Sequence, residues 1–272
     1  MVNDIKIVAV IGAGFLGKQI ASQTAFYDYT VRIYDVQTEM LEILVKKIKR
    51  KKKKKGALGE VTYHNDLAEA VADADIIIEA IPEKLELKKE IFSQIEDAAP
   101  PHAIIATNSS SIPISRIEDA VKRKDKVMNM HFYHQGIPMV DIMKGTETSD
   151  DTFEKGKKFV ESIEFTPLVV KKECYGFVFN RLWRACKKEA LEIWAGGYAD
   201  IETVDTAWKI FTGMSFGPFT LMDTIGLDTV YNVEMSYYKE SGDPRDKPPQ
   251  ALKDMIDRGE LGAKTKKGFY EY

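Results

Sequence analysis

Short apolar runs alternate with stretches of three-and-four hydrophobic spacing over most of the first 170 positions. The runs Ile5–Ile11, Val31–Tyr34, Asp75–Glu79, Ala103–Thr107, Lys126–Phe132, Pro138–Met143 and Thr166–Val170 have the length and composition of strands. Between them, 38–55 carries Met40, Leu41, Leu44, Val45 and Ile48 on one helical stripe. Leu85–Ile95 and Asp151–Ile163 read as further amphipathic helices, and Asp66 is placed to cap a short helix, DLAEAVADA. Alternation of this kind predicts a mainly parallel sheet with helices on both faces. Ligands of such sheets lie beyond the carboxyl ends of the strands.

The pattern changes near Lys171-Lys172. From Gly176 onward the periodicity is helical, interrupted at Gly196-Gly197 and between Gly213 and Pro218. The expected fold class is therefore α/β: an N-terminal Rossmann-type doubly wound parallel sheet over 1–173, followed by an all-helical domain over 174–272. A chain divided in this way holds substrate in the cleft between its halves. Apolar residues such as Phe216, Phe219 and Leu221 suit either the core of the helical domain or a homodimer contact.

Composition narrows the class. The chain has 272 residues, 44% of them hydrophobic and 30% charged, as ordinary globular proteins do. Its two cysteines, Cys174 and Cys186, are too few for a disulfide framework and fit no zinc spacing. No run reaches membrane-spanning length and MVNDIK resembles no cleavable signal, so the cytoplasm is the expected location and no membrane partner is expected. The net charge of −3 conceals KKIKRKKKKK at 46–55, nine basic residues in ten, which leaves the remainder near −12. The leading reading is a solvated helix end, where cations suit the dipole. A site for a phosphorylated ligand comes second. Nucleic acid comes last, because no aromatic residues interleave the lysines.

The strongest chemical signal opens the chain. The Ile5–Ile11 run leads directly into Gly12-x-Gly14-x-x-Gly17, then a helical stretch, then Val31–Tyr34 and Asp35. Gly12 permits the tight turn, Gly14 lets backbone approach a pyrophosphate, and Gly17 lets the helix lie close to the sheet. Asp35 follows Gly17 by 18 residues, where a carboxylate accepts hydrogen bonds from a ribose. That carboxylate would repel a 2′-phosphate and no basic residue directly follows it, so NAD is favoured over NADP. The motif alone leaves FAD open.

Polar residues gather at the predicted strand ends: Glu79 and Glu83, then Asn108 to Ser111, His131, and Asp141 within the next strand. A histidine beside a carboxylate suits alcohol oxidation, the imidazole taking the hydroxyl proton as hydride departs. His131-x-x-His134 on a strand end presents no clean metal pair, and no metal is expected.

Taken in order, GAGFLG with Asp35, IIIEAIPE, ATNSSS, MHFYH, MVDIM, GFVFNR, GPFTLMDTIGLD and LGAKTKKGFYEY resemble the 3-hydroxyacyl-CoA dehydrogenase family over the whole chain. The resemblance implies an NAD-dependent enzyme that interconverts an L-3-hydroxyacyl-CoA and its 3-ketoacyl-CoA, a role in fatty acid metabolism, and a homodimer formed through the C-terminal domain. It implies that His131 is the general base, that Asp141 orients it, and that Ser110 and Asn180 bind the substrate around its reacting oxygen. It also implies that Gly12, Gly14, Phe15, Leu16, Gly17, Asp35, Glu83, Lys88, Ser110, His134 and Lys264 contact NAD.

The chain departs from the family pattern in places. Asp141 stands where the family has glutamate, and the loop before it is shorter. His134-Gln135 replaces Asn-Pro. Glu86 replaces a lysine offered to coenzyme A. Asp35 to Asp75 spans 40 residues, too few for the usual helical hairpin that clasps the coenzyme A tail. Either the lysine run replaces the lost phosphate contacts, or the substrate is a CoA-free 3-keto ester, diketo ester or small hydroxy acid, as the diketoreductase-like stretches IPEKLELKKEIF and KTKKGFYEY suggest. A non-catalytic cofactor-binding protein on the same scaffold is the alternative of another class.

Overall fold

A computed structural model describes residues 4–37, 41–56, 59–133 and 136–272. Two compact units divide the chain, Met1–Val178 and Phe179–Tyr272. The change of periodicity along the chain places the division at 173–174.

The first unit is built on one eight-stranded sheet. Its strands are β1 (Ile7–Ile11), β2 (Thr30–Tyr34), β3 (Val61–His64), β4 (Ile76–Glu79), β5 (Ile104–Thr107), β6 (Val127–Phe132), β7 (Met139–Lys144) and β8 (Thr166–Val170). They lie in the order β3-β2-β1-β4-β5-β6-β7-β8. The chain reverses its direction of growth between β1 and β4, the place where such sheets bind ligands. Helices α1 (Phe15–Thr24), α2 (Leu41–Lys55), α3 (Leu67–Val71), α4 (Leu85–Ala98) and α5 (Asp150–Ser162) accompany the strands.

Strand alternation makes two cores. Val8, Val10, Val31, Ile33, Ile76, Ile78, Met130 and Phe132 enter one hydrophobic cluster, while Ala9, Ile11, Ile77, Ile105 and Val127 enter another. Both faces are thus apolar, which is why the strands read as continuous runs rather than alternating ones. The expected N-cap at Asp66 is present, its side chain accepting the Glu69 N–H at 3.1 Å. Strand β3 was not foreseen; its sequence, VTYH, is half polar. The sheet is parallel except where β7 runs antiparallel to β6. The link between those strands, 133–138, is too short for the crossover of a dozen or more residues that parallel neighbours need. The antiparallel register sets His131 directly opposite Asp141.

The second unit is helical: α6 (Phe179–Ala195), α7 (Ile201–Thr212), α8 (Pro218–Ile225), α9 (Leu227–Ser241) and α10 (Gln250–Asp257). Ala190, Leu191, Phe219, Met222, Leu227, Val230, Leu252, Met255 and Phe269 form its core. Two buried carboxylates organise it. Asp205 accepts the Phe219 and Thr220 N–H groups at 2.8 and 3.0 Å, capping α8 from α7. Asp223 accepts the Phe269 and Tyr270 N–H groups at 2.9 Å each and ties down the C-terminal segment. Among the described residues no helix is long and apolar enough to cross a membrane.

Candidate functional site

The chain leaves β1 through Gly12 at a φ of +100°, a conformation that suits glycine and few other residues. A Cβ on Gly12 would stand 2.6 Å from the Ala80 carbonyl oxygen, and one on Gly17 only 1.8 Å from that of Gly12. At Gly14, by contrast, nothing lies within 4 Å of the Cβ position. The loop is therefore closed against the sheet and open at Gly14, the N-cap of α1, where unpaired N–H groups and the positive dipole end suit phosphate. Asp35 at the end of β2 accepts the Ala13 N–H at 2.6 Å on Oδ2 and the Gln37 N–H at 2.8 Å on Oδ1. This cradle fits the pyrophosphate and ribose of NAD, and its fixed carboxylate disfavours a 2′-phosphate.

Strand β4 ends in Glu79, which is 0% exposed. Glu79 accepts from Lys88 Nζ at 2.6 Å and the Ile81 N–H at 2.8 Å on one oxygen, and from the Thr107 hydroxyl at 2.7 Å on the other. Lys88, on α4 and equally buried, also lies 3.3 Å from Glu83. Glu83 in turn accepts from the hydroxyls of Ser109 and Ser111, at 2.5 and 2.7 Å, and from the Ser111 N–H at 2.9 Å. Burial alone would raise the Glu83 carboxyl, but the Lys88 ammonium and the two serines hold it below its ordinary value. One lysine thus links the β4 end to the loop after β5. Asn108 extends the link, its Oδ1 accepting the Phe132 N–H at the end of β6 at 2.8 Å.

His131 and Asp141 are both buried, with His131 Nδ1 3.5 Å from Asp141 Oδ2. The imidazole is stacked against Phe177, which has a φ of +52° beside Gly176. A cavity of about 820 Å³ is lined by Gly12, Gly14, Phe15, Leu16 and Asp35. The same cavity is lined by Glu83, Lys88, Asn108, Ser110 and His131. Gly17 is buried close to the Gly12 carbonyl and is not among the residues that line the cavity.

Asn180 and Lys264 belong to the helical unit. Asn180 is the second residue of α6, and Lys264 pairs with Asp228 at 2.5 Å. His134 lies outside the described residues. Sequence reasoning missed Tyr133, whose hydroxyl donates to Asp141 at 2.5 Å. Its place two residues beyond His131, just past the end of β6, was the available signal. It also missed the Glu79–Lys88 pair, which no local pattern announces.

The lysine run forms the later part of α2. Leu41, Val45, Ile48 and Lys52 are buried along one stripe, and the other cations described there are exposed. Lys47 and Lys51, with Lys18 of α1, also line a second cavity of about 470 Å³ whose walls include Phe26, Leu44, Ile48, Phe132 and Phe165. Among the described residues no three His, Cys, Asp or Glu side chains gather as a metal cluster.

Comparison with known proteins identifies the family. Residues 7–174 match the 3-hydroxyacyl-CoA dehydrogenase NAD binding domain, and residues 176–272 match the C-terminal domain of the same family. The chain is 34% identical to the mitochondrial hydroxyacyl-coenzyme A dehydrogenase of Rattus norvegicus, covering 98% of this chain and 91% of that protein. It is 32% identical to a probable 3-hydroxybutyryl-CoA dehydrogenase of Bacillus subtilis, covering 99% and 98%. A solved diketoreductase structure, described as catalysing reactions of dicarbonyl compounds, is 34% identical with a TM-score of 0.88, covering 99% of this chain and all of that one. The expected family and cofactor are both borne out: the chain belongs to the 3-hydroxyacyl-CoA dehydrogenase family of NAD-dependent oxidoreductases.

Proposed function

We propose that the protein interconverts an L-3-hydroxyacyl-CoA and the corresponding 3-ketoacyl-CoA, with His131 as general base. The observation that carries this reading is the single cavity lined both by the glycine loop with Asp35 and by Ser110 and His131. When bound there, NAD supplies the acceptor for the hydride on the hydroxyl-bearing carbon. His131 Nε2 takes the hydroxyl proton, and Asp141 fixes the ring with Nδ1–H toward itself and stabilises the imidazolium. Ser110 and Asn180 hydrogen-bond the substrate around its reacting oxygen. Gly12, Gly14, Phe15, Leu16, Gly17 and Asp35 hold the dinucleotide, with Glu83, Lys88, His134 and Lys264 completing its contacts.

Support for a CoA tail comes from the second cavity, where Lys18, Lys47 and Lys51 border apolar walls. That combination suits a phosphorylated, partly apolar tail. A second reading, reduction of CoA-free 3-keto esters, is favoured by the similarity to the diketoreductase. The enzyme is proposed to act as a homodimer through its helical unit, where Ile210 and Phe211 are 80% and 92% exposed. A reducing cytoplasm suits its free cysteines.

One experiment tests the chemistry and the substrate together: NADH oxidation with acetoacetyl-CoA and with ethyl acetoacetate, in the native chain and in His131→Gln. Loss of the base is expected to lower kcat roughly 10²–10⁴-fold with NADH binding retained. A native-like kcat in His131→Gln overturns the assignment of the base. A higher kcat/KM for the ester than for the thioester retires the CoA reading in favour of the second.

A further inference from the structure

His131 is surrounded on one face of the sheet by side chains brought together by strand geometry. Alternation puts Tyr133 on the same side of the chain as His131, just past the end of β6, while Phe132 between them points into the opposite core. Register puts Asp141 across from His131. Phe177 lies parallel to the imidazole, with centroids 5.2 Å apart and planes at 6°. The Tyr133 ring meets the same imidazole edge-on at 4.7 Å and 63°.

The contacts to Asp141 are unequal. Its Oδ2 receives the Tyr133 hydroxyl at 2.5 Å and stands 3.5 Å from His131 Nδ1. The first is the length of a charge-assisted O–H···O⁻ bond, and the second is at the outer limit of a hydrogen bond. Oδ1 is buried with no hydrogen-bond partner among the described residues. Among the described residues, the firmest hold on this buried carboxylate is therefore the tyrosine hydroxyl. An aspartate directly across the ladder reaches only part of the way to the imidazole. A glutamate would extend roughly 1.5 Å further, the length of one C–C bond.

We propose that Tyr133 is a positioning residue for the dehydrogenase reaction. Its hydroxyl holds Asp141 facing His131, and its ring braces the imidazole, so that a short carboxylate can orient the base. The proposal rests on His131 being the base. Without the hydroxyl, Asp141 keeps one weak partner among the described residues and its carboxylate is free to rotate, which loosens the ring at the moment it gains charge. A buried carboxylate with one firm hydrogen bond depends on that bond more than an exposed one does.

The test is a set of variants at two positions, assayed for kcat, KM and NADH affinity by fluorescence. Tyr133→Phe removes one oxygen and is expected to lower kcat roughly tenfold, with KM and NADH Kd within about twofold of native. With Asp141→Glu as background, most of that loss should disappear, because the longer side chain reaches Nδ1 without the clamp. With Asp141→Asn as background, adding Tyr133→Phe should change kcat by less than about twofold, since coupled residues are not additive. The proposal is overturned by a native kcat in Tyr133→Phe, by the same loss on all three backgrounds, or by loss of NADH binding in Tyr133→Phe, which would make the hydroxyl a structural prop. His131→Gln separates the two levels. A native kcat there removes the base assignment and this proposal with it. A large loss there beside an unaffected Tyr133→Phe removes only the role of Tyr133.

Discussion

At the scale of single residues, Lys88 illustrates how the site is held. Its ammonium is buried between Glu79 and Glu83, and through them it reaches Thr107, Ser109 and Ser111. Removing one member of a buried ion pair strands the other in a low-dielectric setting. Lys88→Met is expected to lower stability by about 3–5 kcal/mol in urea unfolding, and adding Glu79→Gln should recover a good part of that loss. If the single and double variants are equally unstable, the ion pair is not what holds these strand ends. Lys88 was legible in the sequence only through its place in a family pattern. Nothing around position 88 reveals that its charge is buried, because its partner is on a different element and the pairing exists only once α4 lies on the sheet. The glycine loop is the opposite case. The constraints on Gly12, Gly14 and Gly17 arise mostly within a few residues of chain, so their spacing alone exposes their roles.

At the scale of elements, α2 separates what spacing reveals from what packing adds. Of the apolar stripe read from three-and-four spacing, Leu41, Val45 and Ile48 are buried and Leu44 is partly so, while Met40 lies outside the described residues. Spacing carries the stripe on to Lys52, but it could not reveal that other lysines of the run line a cavity. Lys52 continues the buried stripe, while Lys47 and Lys51 line the second cavity with α1. If those cations meet a CoA tail, Lys47→Gln/Lys51→Gln should raise KM for acetoacetyl-CoA roughly threefold to tenfold, shrinking in high salt, with KM for ethyl acetoacetate unmoved. Equal effects on both substrates would dismiss that contact. The β6–β7 pair teaches the same lesson from the other side. Both strands were visible as apolar runs, yet their antiparallel register is what sets Asp141 opposite His131.

At the scale of the whole molecule, the change from alternating to helical periodicity marked two units, and the observed units are a sheet with helices and a helical bundle. The GPFTLMD and KGFYEY segments looked unrelated as text. Asp223 joins them through the N–H groups of Phe269 and Tyr270. The exposed end of α7 carries the assembly prediction. Phe211→Lys should weaken a homodimer at least roughly a hundredfold, as removal of a central apolar anchor does, and shift the sedimentation coefficient toward the monomer. An unchanged coefficient would place the dimer contact elsewhere.

The amino-acid sequence by itself determined the helices of the first unit and its strands other than β3, the glycine cradle, the preference for NAD and the family, because each rests on local periodicity, local backbone freedom or ordered short motifs. Only the tertiary structure decided that Lys88 is buried between two carboxylates, that two lysines of α2 face a cavity, and that Tyr133 reaches Asp141. Those features depend on strand register and on how separate elements pack, even where the partners are only eight or nine residues apart in the chain. Burial and pairing are properties of the packed sheet and helices, which no window of sequence contains.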